Sequence, residues 1–409
     1  MKIRSVTCFF DPSAQSPYGN TPYNAFDRLG RLAESARDVF GKAGLEVQTT
    51  RLSTTPFPSL YPVEAVERAV GLAQSLERDA AERGFNYLSL GPALPGYPGS
   101  AGLILPILKN TRNVFLSGQM AHGNQIYPSL VRAYAQIIHE AAGLEPEGFA
   151  NLRFAALANV APYGPFFPGS FHAGGRPAFS LAIECADLAY SAARKASSLP
   201  VFRQNLVTTL ETQATRLTSY ANHLAQQFDM DFRGIDFSLA PFPSEWASLG
   251  AALEALGLPS LGRSGSLAAA AYLADTLDRG SWLRAGFNGL MMPVLEDSTL
   301  AARSSQGVLR VHDLLMYSAV CGTGLDTVPL PGDSTPEQIY ALLLDVAALA
   351  LRLNKPLTAR LMPIPGKKAG DPTTFTFDYF ANGAVMELDA GPLTGMLAGD
   401  EPFEVRQRG

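Results

Sequence analysis

The sequence predicts an α/β fold whose mainly parallel sheet closes into a barrel of about ten strands. Short β-rich runs alternate with longer amphipathic stretches along nearly the whole chain of 409 residues. This alternation is typical of strand–helix units, which form parallel sheets with helices packed on their faces. The strand candidates are apolar enough to be buried on both faces, as parallel strands are. A sheet of about ten strands favours closure, because closure removes the unpaired edges.

The strand candidates are short runs rich in β-forming residues. In chain order they are Lys2–Phe9, Leu45–Leu52, Phe85–Leu90, Asn113–Leu116, Arg153–Val160, Phe179–Ile183, Gly234–Leu239, Phe287–Met292, Thr323–Val328 and Thr358–Met362.

The helix candidates have apolar residues spaced by about 3.6 positions, as expected of helices laid on a sheet. One of them begins with Thr335 before Pro336, a capping residue followed by a proline at the first helical position. The candidates are Tyr23–Gly41, Pro62–Arg83, Tyr127–Ala142, Leu199–Phe228, Glu245–Leu256, Ser266–Asp278 and Pro336–Leu353.

We expect a single domain, 1–409, because the sequence has no internal repeat and no low-complexity linker. The feature nearest to a boundary is Gly143–Gly148. It divides the predicted barrel into halves 1–145 and 150–375 and leaves a C-terminal strand segment, 376–409.

The composition indicates a folded protein with a large core. Hydrophobic residues make up 47% of the chain and charged residues 17%, which is too apolar for disorder. The net charge is −5, and no basic run exceeds the pair Lys367–Lys368. Nucleic acid requires a basic face. The sequence therefore predicts no nucleic-acid partner.

The sequence also predicts a cytoplasmic protein without a membrane span. Its start, from Lys2, lacks the apolar core of a signal peptide. The most apolar helix candidate, 339–353, contains Asp345 and is too short to cross a bilayer. The three cysteines are an odd number in a chain with no export signal, so we expect reduced thiols.

Familiar cofactor motifs are absent. The segment Cys321–Thr327 has two glycines of a dinucleotide-binding loop, but Thr327 stands where the third belongs. No P-loop lysine occurs, and no pair of cysteines has the spacing of a zinc site. The sequence thus has no NAD or haem signature.

Several glycine- and proline-rich loops carry polar residues next to strand candidates. Each loop alone is compatible with a structural role, because glycine and proline punctuate every βα loop. Together, the loops place reactive side chains where a barrel gathers them at one rim, the usual position of active sites in such folds. These side chains are His172, Asp236, Glu296, Cys321 and Asp326.

Cys321 is the candidate nucleophile or acid. A lone cysteine is most often an inert buried residue, and we interpret Cys185 in this way. Cys321 differs because Gly322 and Gly324 flank it on a turn whose amides can lower the pKa of a thiol. A thiolate nucleophile needs a base, for which His172 is the best candidate.

Acidic residues on the same loops have two alternative roles. Asp236 and Asp326 would orient the catalytic pair or bind a metal. Together with Glu296 and Asp297, they could instead hold a divalent cation such as Ca²⁺ or Mg²⁺, which prefers carboxylate oxygens.

A separate anion site is predicted at the start of the helix candidate 266–278. Glycines, a hydroxyl group and a cation at a helix N-terminus suit phosphate or carboxylate. The alternative is an ordinary serine N-cap. The residues of the predicted site are Gly262, Arg263, Ser264 and Gly265.

Several separated motifs give the chain a resemblance to an uncharacterised family, domain of unknown function 711, which occurs in bacteria and archaea. The resemblance runs from the Arg4–Thr7 strand to about Phe375. One departure is Ala173–Ala178, which stands where this family usually has an acidic stretch. A charged contact of the family is therefore either missing here or replaced by Arg176. The motifs are Phe167–His172, Ile235–Pro241, Pro293–Asp297, Cys321–Asp326 and Pro363–Asp371.

The resemblance implies a fold similar to that of pyruvate formate-lyase and other glycyl-radical enzymes, a ten-stranded barrel of two five-stranded halves. It implies no settled reaction. Two functions therefore stay open. The protein is an enzyme acting on a small anionic or polar metabolite at a thiol-centred pocket on the barrel rim, or it is a non-catalytic protein that binds a ligand or metal on the same barrel. We expect a small-molecule ligand and a homo-oligomer, a dimer.

We predict that no glycyl radical forms, because the Arg-Val-x-Gly-Tyr-like segment that carries such a radical is absent from the tail after Phe380. The measurement is electron spin resonance on protein treated with a radical-generating activase. A glycyl-radical signal from the treated protein would contradict this prediction.

Overall fold

The computed structural model describes residues 1–13, 22–60 and 65–408. Within these residues, eleven strands form one sheet. The strands are β1 (Lys2–Phe10), β2 (Val47–Thr54), β3 (Tyr87–Ala93), β4 (Val114–His122), β5 (Gln125–Ile126), β6 (Phe154–Ala158), β7 (Ala178–Glu184), β8 (Asp231–Ala240), β9 (Gly324–Pro331), β10 (Leu357–Ile364) and β11 (Phe403–Glu404).

Helices connect most of these strands and cover the outer face of the sheet. They are α1 (Pro22–Lys42), α2 (Val66–Glu82), α3 (Ile104–Asn110), α4 (Pro128–Ala141), α5 (Ala186–Lys195), α6 (Leu199–Phe228), α7 (Leu249–Glu254), α8 (Ser266–Asp278), α9 (Ser298–Ser305), α10 (Val311–Ser318) and α11 (Pro336–Arg352).

The sheet has the strand order β8-β7-β1-β2-β3-β4-β6-β10-β9, with β5 and β11 as a small extension beside β4. Strands β1, β2, β3, β4 and β6 are parallel to one another. The outer pairs β7–β8 and β9–β10 are each parallel within the pair but run antiparallel to this central group. The mixed α/β class predicted from the sequence is therefore confirmed.

The predicted closed barrel is wrong. The terminal strands β8 and β9 do not pair with each other, so the sheet of the described residues is open. Segment 284–294 lies between them and forms one isolated β-bridge with each. Ile235 of β8 bridges to Arg284, and Asp326 of β9 bridges to Pro293.

The strand candidate Phe287–Met292 lies in this segment and forms no strand. Gly286 and Asn288 have φ values of 75° and 47°, which turn the chain out of the extended conformation. Pro293 has no N–H group to donate to a ladder. A continuous tenth strand is therefore interrupted at these residues, and the sheet does not close.

The other strand candidates overlap the nine longer strands of the sheet, and most helix candidates overlap helices. The start of the candidate Pro62–Arg83 lies partly outside the described residues, and α2 begins at Val66. The candidate Glu245–Leu256 is divided into a 3-10 turn, Glu245–Ala247, and α7.

Strand alternation gives the sheet two chemically different faces. On the outer face, Ile3, Leu52 and Val114 belong to the main hydrophobic core beneath the helices. On the inner face, Arg4 and Arg51 point into the space that the curled sheet encloses. The candidate site lies on this inner face, which carries Arg4 and Arg51.

The loop between β6 and β7 packs against this inner face. The hydroxyl groups of Ser170 and Ser53 of β2 are 2.6 Å apart, and the hydroxyl of Ser89 of β3 donates to the carbonyl of Ser170 at 2.7 Å. These bonds bring Phe166 and Phe167 of the loop to the wall of the cavity described below.

No helix of the described residues is long and apolar enough to span a membrane.

Two glycine substitutions are expected to have opposite effects on stability. A Cβ atom at Gly118 of β4 would lie 2.2 Å from the ring of the buried Tyr134. Gly118→Ala should therefore lower the free energy of unfolding by about 1–3 kcal/mol through overpacking. Gly71→Ala, inside α2 with open space around it, should raise that free energy by about 0.5–1 kcal/mol.

Urea unfolding followed by circular dichroism measures both changes. Equal midpoints for Gly118→Ala and the wild type would contradict the packing of β4 against α4.

Candidate functional site

A cavity of about 90 Å³ lies on the inner face of the sheet. Its walls come from β1 to β4, β7, β8 and β10 and from the β6–β7 loop. Apolar and aromatic side chains form most of the wall, and charged groups are gathered on one part of it. The charged residues are Arg4, Arg51, Asp236, Glu296 and Arg360, and the aromatic ones are Tyr87, Phe115, Phe166, Phe167, Phe377 and Tyr379.

A chain of ion pairs crosses the interior beside the cavity. Glu296 bonds to Arg4 through one oxygen and to Nη2 of Arg360 through the other, at 2.9 Å. Nε of Arg360 donates to Asp326 at 2.6 Å. The side chains of Arg360 and Glu296 are each 6% exposed, and that of Asp326 is fully buried.

The two carboxyl groups of this chain have opposite pKa shifts. Burial alone would raise the pKa of Glu296, but Arg4 and Arg360 together hold it below the usual range. Burial raises the pKa of Asp326, against the opposing effect of Arg360. The second oxygen of Asp326 is buried and has no partner among the described residues. Glu296 is therefore the ionised centre of the chain.

Arg51 is the unpaired cation of the cavity. Its Nε donates to the hydroxyl of Thr49 at 3.0 Å. Its guanidinium lies 5.9 Å from the ring centre of Tyr87 and 5.3 Å from that of Phe167. Among the described residues, no carboxylate forms an ion pair with it. Burial, with the neighbouring charge of Arg4, lowers the pKa of Arg51 to about 9.

Asp236 lines the cavity but is occupied by structural hydrogen bonds. One of its oxygens accepts from the N–H and hydroxyl of Ser238 and from the N–H of Asn288, at 2.6–3.0 Å. The other accepts from the N–H of Phe287 at 3.0 Å. Burial raises its pKa, against these donors. Asp236 thus fastens segment 284–294 to β8.

Cys321 lies between α10 and β9 and does not line the cavity. It is 4% exposed. Burial raises the pKa of its thiol to about 11, although Lys355 and the N–H of Thr323 oppose the shift. The thiol is therefore protonated at neutral pH. Its role as nucleophile or acid stays a prediction.

His172 lies on the β6–β7 loop, fully buried and also outside the cavity wall. Its Nε2 is 3.2 Å from the carbonyl oxygen of Arg176, which it can only approach as a donor. Its Nδ1 is buried without a partner among the described residues. Burial lowers the pKa of His172, which keeps the ring neutral at pH 7. Its role as a base stays a prediction.

The oxygens of Glu296 and Asp297, two residues of the predicted cation site, contact other groups of the protein. The oxygens of Glu296 contact guanidinium groups. Those of Asp297 accept hydrogen bonds at the starts of α7 and α9, among them from the N–H groups of Leu249 at 2.7 Å and Thr299 at 2.9 Å. The described residues contain no cluster of three or more His, Cys, Asp or Glu side chains suited to a metal. A cation at these residues stays a prediction.

The predicted anion site precedes α8. Gly265 takes the N-cap position with φ of 102° and provides no side chain to cap the helix. The N–H of Gly262 donates to the hydroxyl of Ser266 at 3.2 Å. Ser266 is therefore a residue of the first turn and not the N-cap. An anion at Gly262, Arg263, Ser264 and Gly265 stays a prediction.

The arginines of the cavity were not among the site residues predicted from the sequence, because those predictions favoured side chains on loops. Arg4, Arg51 and Arg360 lie inside strands. A signal was nevertheless present, since charged residues are rare in buried strands. Arg51 lies inside the candidate Leu45–Leu52, and Arg360 is the one charged residue of the candidate Thr358–Met362.

Comparison with known proteins identifies relatives over most of the chain. A family model described as "Uncharacterised ACR (DUF711)" matches residues 1–381. A UPF0210 protein of Pyrobaculum arsenaticum is 31% identical over 360 residues, which are 83% of this chain and 79% of the relative. UPF0210 proteins of Acetivibrio thermocellus and Neisseria gonorrhoeae are 29% and 26% identical, over 90% and 86% of this chain and 85% and 82% of their own lengths. These names state no activity.

Alkylation by iodoacetamide tests the reactivity of Cys321. Because its pKa is about 11, we expect modification at pH 8 to be about 100-fold slower than that of a cysteine in a free peptide, and to accelerate with rising pH. Mass spectrometry of tryptic peptides locates the modified residue. Protein unfolded in urea is the control, in which all three cysteines should react alike. Fast, selective modification of Cys321 in the folded protein at neutral pH would instead support the thiol-centred enzyme.

Proposed function

We propose, for a chain that belongs to the DUF711 family, that the inner cavity binds a small anionic metabolite through Arg51. This is the ligand-binding alternative of the two functions that the sequence left open. The predicted resemblance to the family is confirmed, whereas the similarity to pyruvate formate-lyase stays a prediction. The observation that carries the proposal is the guanidinium of Arg51, which is half-buried on the cavity wall and has no carboxylate partner among the described residues.

An unpaired buried charge destabilises a folded protein, because it loses hydration and gains no partner. The neighbours of Arg51 act in both directions: Arg4 and Arg360 disfavour its charge, whereas Tyr87 and Glu296 favour it, and together with burial the balance lowers its pKa. A bound anion would supply the missing partner. Strongly perturbed groups in a cleft are frequently found at functional sites.

The surroundings of Arg51 also support a receptor role. Thr49 fixes one edge of the guanidinium, and the rings of Tyr87 and Phe167 restrict its plane. The two terminal nitrogens remain free of protein partners among the described residues. A guanidinium held in this way binds an anion with little loss of side-chain entropy.

The thiol-centred enzyme is the other function. It would have Cys321 as nucleophile or acid and His172 as base, without a glycyl radical. The burial of Cys321 does not support this function. Fast, selective alkylation of Cys321 in the folded protein at neutral pH would support it.

Arg51→Met should separate binding from stability. It retains an unbranched apolar side chain about as long as the stem of arginine and removes the unpaired charge, so the ligand-free variant should be more stable than the wild type by about 1–2 kcal/mol. Acetate, benzoate, sulfate and phosphate are added in turn at matched ionic strength, with chloride as the reference. At least one should raise the melting temperature of the wild type by several degrees and leave that of Arg51→Met unchanged.

Arg112→Met is the matched control, because Arg112 is exposed and its side chain makes no contact with the cavity. This variant should keep the response of the wild type. Strong destabilisation by Arg51→Met, or an equal anion response in both variants, would identify Arg51 as a structural residue and contradict the proposal.

A further inference from the structure

We infer that the ligand of this cavity is a monocarboxylate of about six to nine non-hydrogen atoms in total, with an apolar body. The inference rests on the proposed function and names the class of anion that Arg51 receives. Three properties of the cavity lead to it, namely its charge balance, its free hydrogen-bond donors and its size.

The charge balance favours a single negative charge. Arg4 and Arg360 are already neutralised, the first by Glu296 and the second by Glu296 and Asp326. Arg51 is the remaining cation on the wall, and the carboxyl group of Asp236 on the same wall has its pKa raised by burial and is engaged by hydrogen bonds from Ser238, Phe287 and Asn288. A dianion would leave one negative charge buried and uncompensated, and such a charge is strongly destabilising.

The free donors favour a carboxylate. Three other polar side chains of the wall are already engaged. The hydroxyl of Thr49 donates to the carbonyl of Arg4 at 2.7 Å, and the amide of Gln48 donates to Glu184 at 2.6 Å. The hydroxyl of Ser238 donates to Asp236 at 2.6 Å.

The terminal nitrogens of Arg51 therefore provide one pair of parallel donors, which matches the two oxygens of a carboxylate. A phosphate group has three or more acceptor oxygens and would leave some of them without partners.

The remaining wall favours an apolar body. Phe115, Phe166, Met291 and Leu152 present hydrocarbon or thioether surfaces to the cavity. A water-sized group needs about 10–15 Å³, so the volume of 90 Å³ accommodates about six to nine such groups. Benzoate has nine non-hydrogen atoms and butyrate six, so the two span this range.

Isothermal titration calorimetry on the full chain provides the test. The probes are benzoate and butyrate, with succinate as a dianion of similar size, inorganic phosphate as the compact anion and benzamide as the uncharged analogue of benzoate. We expect benzoate or butyrate to bind once per chain, at least about tenfold more tightly than any of the other three.

Two variants of Arg51 make the result specific to the cavity. Arg51→Met should abolish the binding. Arg51→Lys retains the charge but offers no parallel pair of donors, so it should weaken the binding about fivefold or more. Melting curves of the ligand-free variants show whether each is folded, and Arg112→Met should bind like the wild type.

The outcomes separate the two levels of the proposal. Arg51-dependent binding of phosphate or succinate at equal or higher affinity would overturn the monocarboxylate inference and leave the anion site standing. Binding of benzamide equal to that of benzoate would show that no charge is recognised and would overturn both. A lack of Arg51-dependent binding by every anion would likewise overturn both.

Discussion

The carboxylate of Glu296 joins two strands that are far apart in the sheet. It bonds to Arg4 of β1 and to Arg360 of β10, although β2, β3, β4 and β6 lie between these strands. The contact is possible because the sheet curls until the two strands face each other. Removal of Glu296 would leave two buried guanidinium groups facing each other without their shared anion, which is a severe destabilisation. The cavity beside it therefore depends on this one carboxylate for its shape, whereas Arg51 is left free for a ligand.

The fold was predicted from the sequence wherever local pattern decides the structure. Strands such as Lys2–Phe10 alternate or remain apolar for long enough to be recognised, and the long helix Leu199–Phe228 repeats its apolar spacing over many turns. Closure of the barrel was predicted from the number of strands alone, and it failed in segment 284–294. The run Phe287–Met292 has the composition of a strand, but its geometry is set by non-local bonds. Asp236, far away in the chain, binds the N–H groups of this segment in a turned conformation, and no pattern within the run reveals that contact.

The candidate site was predicted only in part. Asp236 and Glu296 were identified, and both line the cavity. Their partners were not, because pairing between Glu296 and Arg4 joins residues 292 positions apart in the chain. Chemistry was expected on loops, as in parallel barrels, and this favoured Cys321. The burial of Cys321 depends on how α10 packs against β9, and the spacing of residues in the sequence does not define that packing. The useful signal was the position of Arg51, a cation inside a predicted strand.

The reversed direction of the outer strand pairs has a consequence for how this protein can evolve. In a parallel barrel, all strands deliver their loops to one rim, so new specificities arise by exchange of loops on an unchanged scaffold. Here the antiparallel outer pairs bring opposite strand ends together around the cavity, and its key cations are residues of the strands themselves. At the proposed ligand site, a change of ligand would therefore require substitutions within the sheet, each constrained by packing on both sides. Such a site diversifies slowly, and its selectivity is tied to the stability of the scaffold that carries it.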